Sequence, residues 1–132
     1  MSTGVRDLKV WQESVALAGD VIRATRTNVR RETKSVTDTV MATAMSIGTH
    51  IADGYCGYGS EEQRAAYLAA KRALYRLETE LAALRHADLI PAAAFTDMAN
   101  RTGTVSRLLA GYIAYLDRQL SEQGGKQDRK GA

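Results

Sequence analysis

Histidine and cysteine, two residue types that commonly catalyse reactions or bind metals, are scarce in this chain of 132 residues. The only histidines are His50 and His86, and they fall in different segments. His50 and Asp53 have the i, i+3 spacing that places two side chains on one side of a helix, where they could hold a metal weakly or form a polar contact at a helix end. A helical di-iron site would require Glu-x-x-His pairs, and the chain has none. We favour the polar contact and expect no bound metal.

The glycine-rich segment Gly54-Tyr55-Cys56-Gly57-Tyr58-Gly59 is the other place where chemistry is conceivable. A turn before a helix N-terminus can hold a phosphate, but this one lacks the Lys-Ser/Thr of a P-loop and follows no strand. Cys56 has no neighbouring histidine or second cysteine to activate its thiol. We interpret the segment as a turn in which Gly54 ends a helix and Tyr55 and Tyr58 pack. The chain is therefore predicted to have no catalytic residue and no organic cofactor.

Basic residues form the pattern that most clearly indicates a ligand, although the formal net charge is only +3. One group surrounds the first connection and includes a single acid, Glu32. Its members are Arg23, Arg26, Arg30, Arg31 and Lys34. A second group, Lys71, Arg72 and Arg76, lies in a segment that also carries acids, and Arg76 is spaced for an i, i+4 pair with Glu80. These groups could bind phosphates or form an ordinary solvated surface.

The segments that must position these residues show helical periodicity. Helix one is predicted from about Asp7, its expected N-cap, to Thr27. Its apolar stripe is Leu8, Trp11, Val15, Ala18 and Ile22. Helix two is predicted from about Ser35 to Asp53. Its inner stripe is Val36, Val40, Ala44, Ile47 and Ile51.

Two longer helices follow. Helix three is predicted from about Glu61, with Ser60 as its N-cap, to Ala87, and helix four from about Pro91 to Leu120. The positions expected to be buried across the four helices are Trp11, Ile47, Ile51, Leu74, Leu77, Leu81, Val105, Leu109 and Tyr112. The pattern predicts an all-α, antiparallel, up-down-up-down four-helix bundle over residues 1–120. A flexible polar tail is expected over residues 121–132.

Helix two carries apolar residues on more than one face. Met41, Met45 and Ala52 widen its inner stripe, and one bundle core can bury only one of these faces. We therefore expect Met41 and Met45 to lie at an interface between subunits of a homo-oligomer. The rest of the chain indicates a cytoplasmic protein, because it has a single cysteine, no secretory h-region and no apolar run of the ~20 residues that a membrane span needs.

Three motifs resemble a known family. Asp7-Leu8-Lys9-Val10-Trp11-Gln12 is similar to the family's opening (D/E)LxVWQ, Ser46-Ile47-Gly48-Thr49-His50-Ile51-Ala52-Asp53-Gly54 to its SIPSNIAEG, and Leu77-Glu78-Thr79-Glu80-Leu81 to its LETQL. Their order and spacing also fit. The chain thus resembles the bacterial four-helix-bundle proteins first noticed as products of intervening sequences in 23S ribosomal RNA genes.

The resemblance implies a ring-shaped homopentamer and a relation to the accessory proteins of diversity-generating retroelements. Those proteins bind nucleic acid and a reverse transcriptase through basic surfaces, and the resemblance brings no catalytic residue. This chain departs from the pattern at Gly48, where the family usually has proline, and at Met41-Ala42, where it often has a basic pair. The missing basic pair weakens the case for nucleic-acid binding by helix two.

Three functions follow from these observations. The first is a non-enzymatic oligomeric bundle whose basic surface patches bind RNA, DNA or a nucleic-acid enzyme. The second is a structural or protein-interaction scaffold with no nucleic-acid role. The third, an enzyme or metal protein, has the least support, and the choice between the first two depends on whether the basic groups bind phosphates.

Overall fold

Four α-helices make up most of the structure, a computed structural model that describes residues 4–26 and 30–131. Their bounds are α1 Lys9–Arg26, α2 Lys34–Tyr55, α3 Ser60–His86 and α4 Ala92–Gly131. Short 3₁₀ helices, Gly4–Asp7 and Arg31–Thr33, precede α1 and α2, and the described residues contain no strand. Among residues 4–26 and 30–131, no helix has the length and apolar character that a membrane crossing requires. The predicted end of helix one at Thr27, and Ala132 of the predicted tail, lie outside the described residues.

The four helices enclose one core, because α1 and α3 each pack against both α2 and α4. Most of the positions predicted to be buried are confirmed. The fully or almost fully buried ones are Ile47, Ile51, Leu74, Leu77, Leu81, Val105 and Leu109. Trp11 and Tyr112 are only partly buried and pack against the edge of the core. The all-helical, four-helix prediction is confirmed.

The predicted inner stripe of helix one is wrong by one position. The core instead takes Val10, Leu17 and Val21, which are completely buried, together with Ser14 and Thr25. The hydroxyls of Ser14 and Thr25 donate to the carbonyl oxygens of Val10 and Val21, each at 2.7 Å. Because both hydroxyls are hydrogen-bonded within the helix, burying them carries little penalty. The predicted stripe from Leu8 to Ile22 lies beside the core.

Gly54 lies inside α2 rather than after its end. The helix continues to Tyr55, so the prediction that Gly54 terminates it is wrong. A Cβ atom at Gly54 would lie 2.9 Å from the Tyr67 ring and 3.0 Å from Cβ of Ala66. Glycine is therefore needed for the close approach of α2 to α3, since a contact shorter than 3.0 Å would force the helices apart.

The predicted capping role of Ser60 is also wrong. Gly59, with a φ of +99°, occupies the N-cap position of α3, and the Ser60 hydroxyl donates instead to Oε1 of Gln119 on α4 at 2.9 Å. The turn after α3 uses Asp88, whose φ of 60° is in the left-handed region that aspartate tolerates better than most residues.

Helix α4 extends beyond its predicted end at Leu120, since its backbone remains helical to Gly131. The prediction placed a helix end there because residues 121–132 supply no apolar side chain until Ala132. A helix needs no packed face to continue for a few turns when its preceding turns are already formed, because propagation is much easier than nucleation. That residues 121–132 are flexible and separate from the bundle stays a prediction.

Candidate nucleic-acid and subunit interfaces

The first basic group surrounds the junction between α1 and α2. Arg23 and Arg26 lie in the last turn of α1, Arg30 and Arg31 precede α2, and Lys34 begins it. We call these five residues the junction cations; all five are exposed. Oδ1 of Asp20 accepts from Arg23 at 2.5 Å, and Oδ2 of Asp38 from Lys34 at 2.7 Å.

The other three junction cations are free of acidic partners in the part of the chain that the structure describes. No carboxylate oxygen lies within 4.0 Å of Arg26, Arg30 or Arg31 there. The first turn of α2 carries no acidic side chain, and Glu32 in the preceding 3₁₀ helix is the one acid next to the positive end of its dipole. Exposed guanidinium groups beside such a helix terminus favour an anionic ligand.

The second basic group lies on the middle turns of α3. Arg72 and Arg76 are exposed, whereas Lys71 is partly buried with its Nζ 6.0 Å from the centre of the Tyr75 ring. The contacts of Thr43 with Glu80 and of Gly54 with Tyr67 place Arg76 beside the middle of α2. At a rise of 1.5 Å per residue, the part of α2 that lies beside Arg76 is about 20 Å from Lys34 along the helix axis. The structure therefore does not join the two basic groups into one patch.

The ion pair that the spacing of Arg76 and Glu80 allows does not form among the described residues. Oε2 of Glu80 instead accepts from the Thr43 hydroxyl at 3.2 Å, across the α2–α3 contact. Its Oε1 is buried and has no hydrogen-bond partner in the described part of the chain. Arg76 is consequently, like Arg26, Arg30 and Arg31, an exposed cation with no carboxylate oxygen within 4.0 Å among the described residues.

Of the two methionines predicted at a subunit interface, Met45 lies on the side of α2 next to α1. Met45 is 58% exposed, whereas Met41 is partly buried. Met45 lines a groove of about 550 Å³, which we call the α1–α2 groove. Its walls are Trp11, Ser14, Val15, Ala18, Gly19 and Ile22 of α1, and Met45, Gly48, Thr49, Ala52 and Asp53 of α2.

The α1–α2 groove is apolar and loosely packed. Asp53 is the one charged residue among its walls. Val15 is 46% exposed, and a Cβ added at Gly48 would lie 3.8 Å from the Val15 side chain, an ordinary contact distance. Exposed apolar surface rimmed by few charges is typical of a surface that another protein covers.

The opposite side of α1 is joined to α4 by ion pairs. The Nε and Nη1 atoms of Arg101 donate to Asp20 and Glu13, each at 2.8 Å. Lys9 pairs with Glu13 at 3.3 Å, and Arg23 completes the network through Asp20. Partial burial disfavours the charged guanidinium, but the charges and hydrogen bonds of Asp20 and Glu13 outweigh it and raise the pKa of Arg101. Sequence analysis missed this network because 81 and 88 positions separate the partners.

Tyrosines cluster where α3 begins and α4 passes it. The rings of Tyr67 and Tyr112 are 6.0 Å apart and inclined by 52°. Burial, followed by the proximity of Tyr112 and Tyr55, raises the pKa of Tyr67. Tyr58, predicted to pack, is 93% exposed, because its turn places it outside the bundle.

The remaining candidates for chemistry are not gathered into one place. Cys56 is exposed, whereas His50, six positions earlier in the chain, is partly buried on α2. No group of three or more His, Cys, Asp or Glu side chains in the described ranges has the geometry to hold a metal ion. The structure therefore directs attention to the junction cations and to the α1–α2 groove.

Four helices on a shared core, with an apolar groove between α1 and α2 and exposed cations at the junction of these two helices, define a four-helix, all-helical protein. The family model of the 23S rRNA-intervening sequence protein matches residues 6–111. This match includes all three motifs identified in the sequence, and the chain belongs to that family. No curated protein sequence matches the chain.

Proposed function

We propose that this protein is a non-enzymatic, cytoplasmic homo-oligomer that binds nucleic acid through the junction cations, with little preference for sequence. The observation that supports this most strongly is the exposure of Arg26, Arg30 and Arg31 without an acidic partner in the described residues. Guanidinium groups bind phosphates through charge-assisted hydrogen bonds, and phosphate contacts carry no sequence information. The name of the family, which refers to 23S rRNA, supports the same direction.

A ring-shaped homopentamer of antiparallel bundles is the assembly that we propose. The contacts Thr43–Glu80 and Gly54–Tyr67 support opposite directions for α2 and α3, because the residue number falls on one helix as it rises on the other. Ser60–Gln119 and the ion pair of Arg64 with Asp117 support the same for α3 and α4. The exposed α1–α2 groove supports oligomer formation, with Met45 at the interface and Met41 at its edge.

Oligomer formation matters for binding because one protomer offers few cations. A ring repeats the junction cations once per subunit, and several weak contacts then act together at a high effective concentration. The second basic group, Lys71, Arg72 and Arg76, lies about 20 Å from the junction cations and is not required for this binding. Each neutralised phosphate contributes about −0.7 to −0.9 to the slope of the logarithm of the binding constant against the logarithm of the salt concentration. The affinity should therefore fall steeply between low and moderate salt.

The experiment is an electrophoretic retardation series with RNA, DNA and a hybrid duplex at increasing salt. The variant Arg30→Glu with Arg31→Glu should bind much more weakly while keeping the oligomer intact. Arg107→Glu with Arg118→Glu, a pair of exposed arginines on α4, gives the same change in net charge and should retain most of the binding. If the wild-type protein retards none of the three even at low salt, the proposal is wrong.

A scaffold without a nucleic-acid role is the second candidate, and the α1–α2 groove is the observation that favours it. A groove of this kind can hold a helix from another protein. A nucleic-acid enzyme is one such partner if the chain is related to the retroelement accessory proteins. The retardation series separates the two candidates, since a pure scaffold would show no salt-dependent shift.

A further inference from the structure

We propose that the α1–α2 groove receives the exposed face of α3 from a second copy of this chain, with the partner's Tyr75 as the central side chain. This rests on the proposed homo-oligomer and adds which two surfaces meet. The contact is head-to-tail, so each subunit offers a groove on one face and a ridge on another.

The shape of the groove argues against two grooves meeting each other. Two concave surfaces placed face to face would leave their floors unfilled, and unfilled volume forfeits the packing that stabilises an interface. The occupant must therefore be convex and carry an exposed apolar side chain. Gly48 leaves space in the floor of the groove, since the nearest side-chain atom to a Cβ placed there would be 3.8 Å away.

Four tyrosines in the described part of the chain are exposed: Tyr55, Tyr58, Tyr75 and Tyr115. Tyr55 is the least exposed of them, at 39%, and its ring lies beside Gly4. Tyr58 is held beside an acid, because its backbone N–H donates to Oε2 of Glu62 at 2.9 Å. The hydroxyl of Tyr115 already accepts a hydrogen bond from Gln119 at 2.6 Å. Tyr75 is 54% exposed and is the one with a cation over its ring, Nζ of Lys71 at 6.0 Å.

Charge and spacing match on the two surfaces. Asp53, the only charged wall of the groove, has no ion-pair partner among the described residues. It lies about 7–8 Å along α2 from Gly48, and Lys71 lies about 6 Å along α3 from Tyr75. When the partner's α3 lies antiparallel to α2, a Tyr75 ring placed over Gly48 therefore brings Lys71 to the level of Asp53. Arg72, one residue further on, is a second cation within reach.

The positions of the two surfaces make the contact heterologous. The groove lies between α1 and α2, whereas the ridge lies on α3, which shares the core with α1 but sits across it. Since each subunit keeps one free groove and one free ridge after the first contact, further copies add until the chain of subunits closes on itself.

Single substitutions test each surface in the full-length protein, with the mass measured by analytical ultracentrifugation. Met45→Glu places a charge in the groove, and Tyr75→Glu removes the ridge. Both side chains are exposed in the protomer, so the fold should persist, which circular dichroism will verify. Loss of a central interface aromatic typically weakens binding by about thirtyfold or more, and each variant should sediment as a 14.4 kDa monomer. Tyr58→Glu, a matched exposed tyrosine, should leave the oligomer unchanged.

Mixing the two variants gives the decisive result. The Tyr75 ridge of the Met45→Glu protein should enter the intact groove of the Tyr75→Glu protein, and the two broken surfaces should prevent further growth. A one-to-one mixture at high concentration should therefore form a dimer of twice 14.4 kDa, although neither protein forms one alone. A mixture that stays monomeric would overturn the head-to-tail contact.

Other outcomes separate this inference from the proposed function. If Met45→Glu dissociates the oligomer but Tyr75→Glu does not, the groove has a different occupant, and the proposed oligomer and its nucleic-acid binding stand. If the wild-type protein is itself monomeric, both the oligomer and this contact are wrong. Asp53→Lys should weaken assembly, and adding Lys71→Asp should restore it; no recovery would contradict the pairing of these two residues.

Discussion

The two sides of α1 differ in how they are closed. On the side of α4, Arg101 joins Asp20 and Glu13 through hydrogen bonds of 2.8 Å each, so that the helices are tied together by charge. On the side of α2, the outer surface is an apolar groove in which Val15 and Met45 remain about half exposed. A surface whose charges are already paired within the protomer has little to offer a partner, whereas unpaired apolar surface gains by being covered. The comparison supports the α1–α2 groove, rather than the α1–α4 side, as the surface of the proposed assembly.

The largest expected effect on stability distinguishes the residues of α1 that face the core from those that line the α1–α2 groove. Leu17 is completely buried, so Leu17→Ala should lower the free energy of unfolding by about 2–5 kcal/mol, through lost burial and a cavity. Val15→Ala, measured in the Met45→Glu background that we expect to be monomeric, should change it by less than about 0.5 kcal/mol. Urea unfolding of both variants measures the difference. Equal losses would mean that the assignment of the two stripes is wrong.

A second contrast compares two glycines of α2. Gly54→Ala should lose about 1–3 kcal/mol of stability, because the new methyl group would overlap the Tyr67 ring at 2.9 Å in a closely packed contact. Gly48→Ala faces the loosely packed groove and should gain up to about 1 kcal/mol from helix propensity. Thermal unfolding in the same Met45→Glu background checks both. Loss of stability at Gly48 would show that the groove is tighter than its distances indicate.

The ion pairs between α1 and α4 should contribute less. Replacing Arg101 with methionine keeps the bulk of the side chain but removes the charge, and should cost about 1 kcal/mol, since the residue is partly open to solvent. The loss should shrink as salt is added. Arg107→Met, on the same helix but without a carboxylate partner within 4.0 Å in the described residues, is the matched control. A loss that is the same at low and high salt would contradict an electrostatic origin.

The smallest effect concerns pH. Tyr67 has a folded-state pKa above its ordinary value of 10.0, so the folded protein holds this proton more tightly than the unfolded chain does. The corresponding stabilisation is complete below about pH 10 and is lost as pH rises above it. The melting temperature of the wild-type protein should therefore fall more steeply above pH 10 than that of Tyr67→Phe. Parallel curves would show that Tyr67 does not cause the decline.

Much of the fold could be predicted because α3 and α4 each carry one dominant apolar spacing, and because Val40, Ala44, Ile47 and Ile51 of the inner stripe predicted for α2 are buried. Helix α1 carries two stripes, one residue apart, and the core uses the one that includes Ser14 and Thr25. Apolar periodicity does not indicate that stripe, because it counts polar residues against burial, whereas these hydroxyls bond to backbone carbonyls of their own helix. From the predicted stripe, Trp11, Val15, Ala18 and Ile22 instead line the α1–α2 groove.

The candidate sites were less predictable. The junction cations could be found from the sequence because they are close to one another in the chain. Met45 could be found because α2 carries apolar residues on more than one face. The partner of Arg101 could not be inferred, because nothing local connects it to residues 81 and 88 positions away. The approach of α2 to α3 at Gly54 was missed for the same reason, and a turn role was assigned to a glycine that packing requires.

Sedimentation equilibrium of the wild-type protein at micromolar concentration tests most directly whether the α1–α2 groove is a subunit interface. We expect a single assembled species whose mass is a multiple of 14.4 kDa, five copies in the proposed ring, and its conversion to monomer by Met45→Glu. A wild-type protein that sediments cleanly as a monomer would contradict this, and would leave the groove as a binding surface for a different protein.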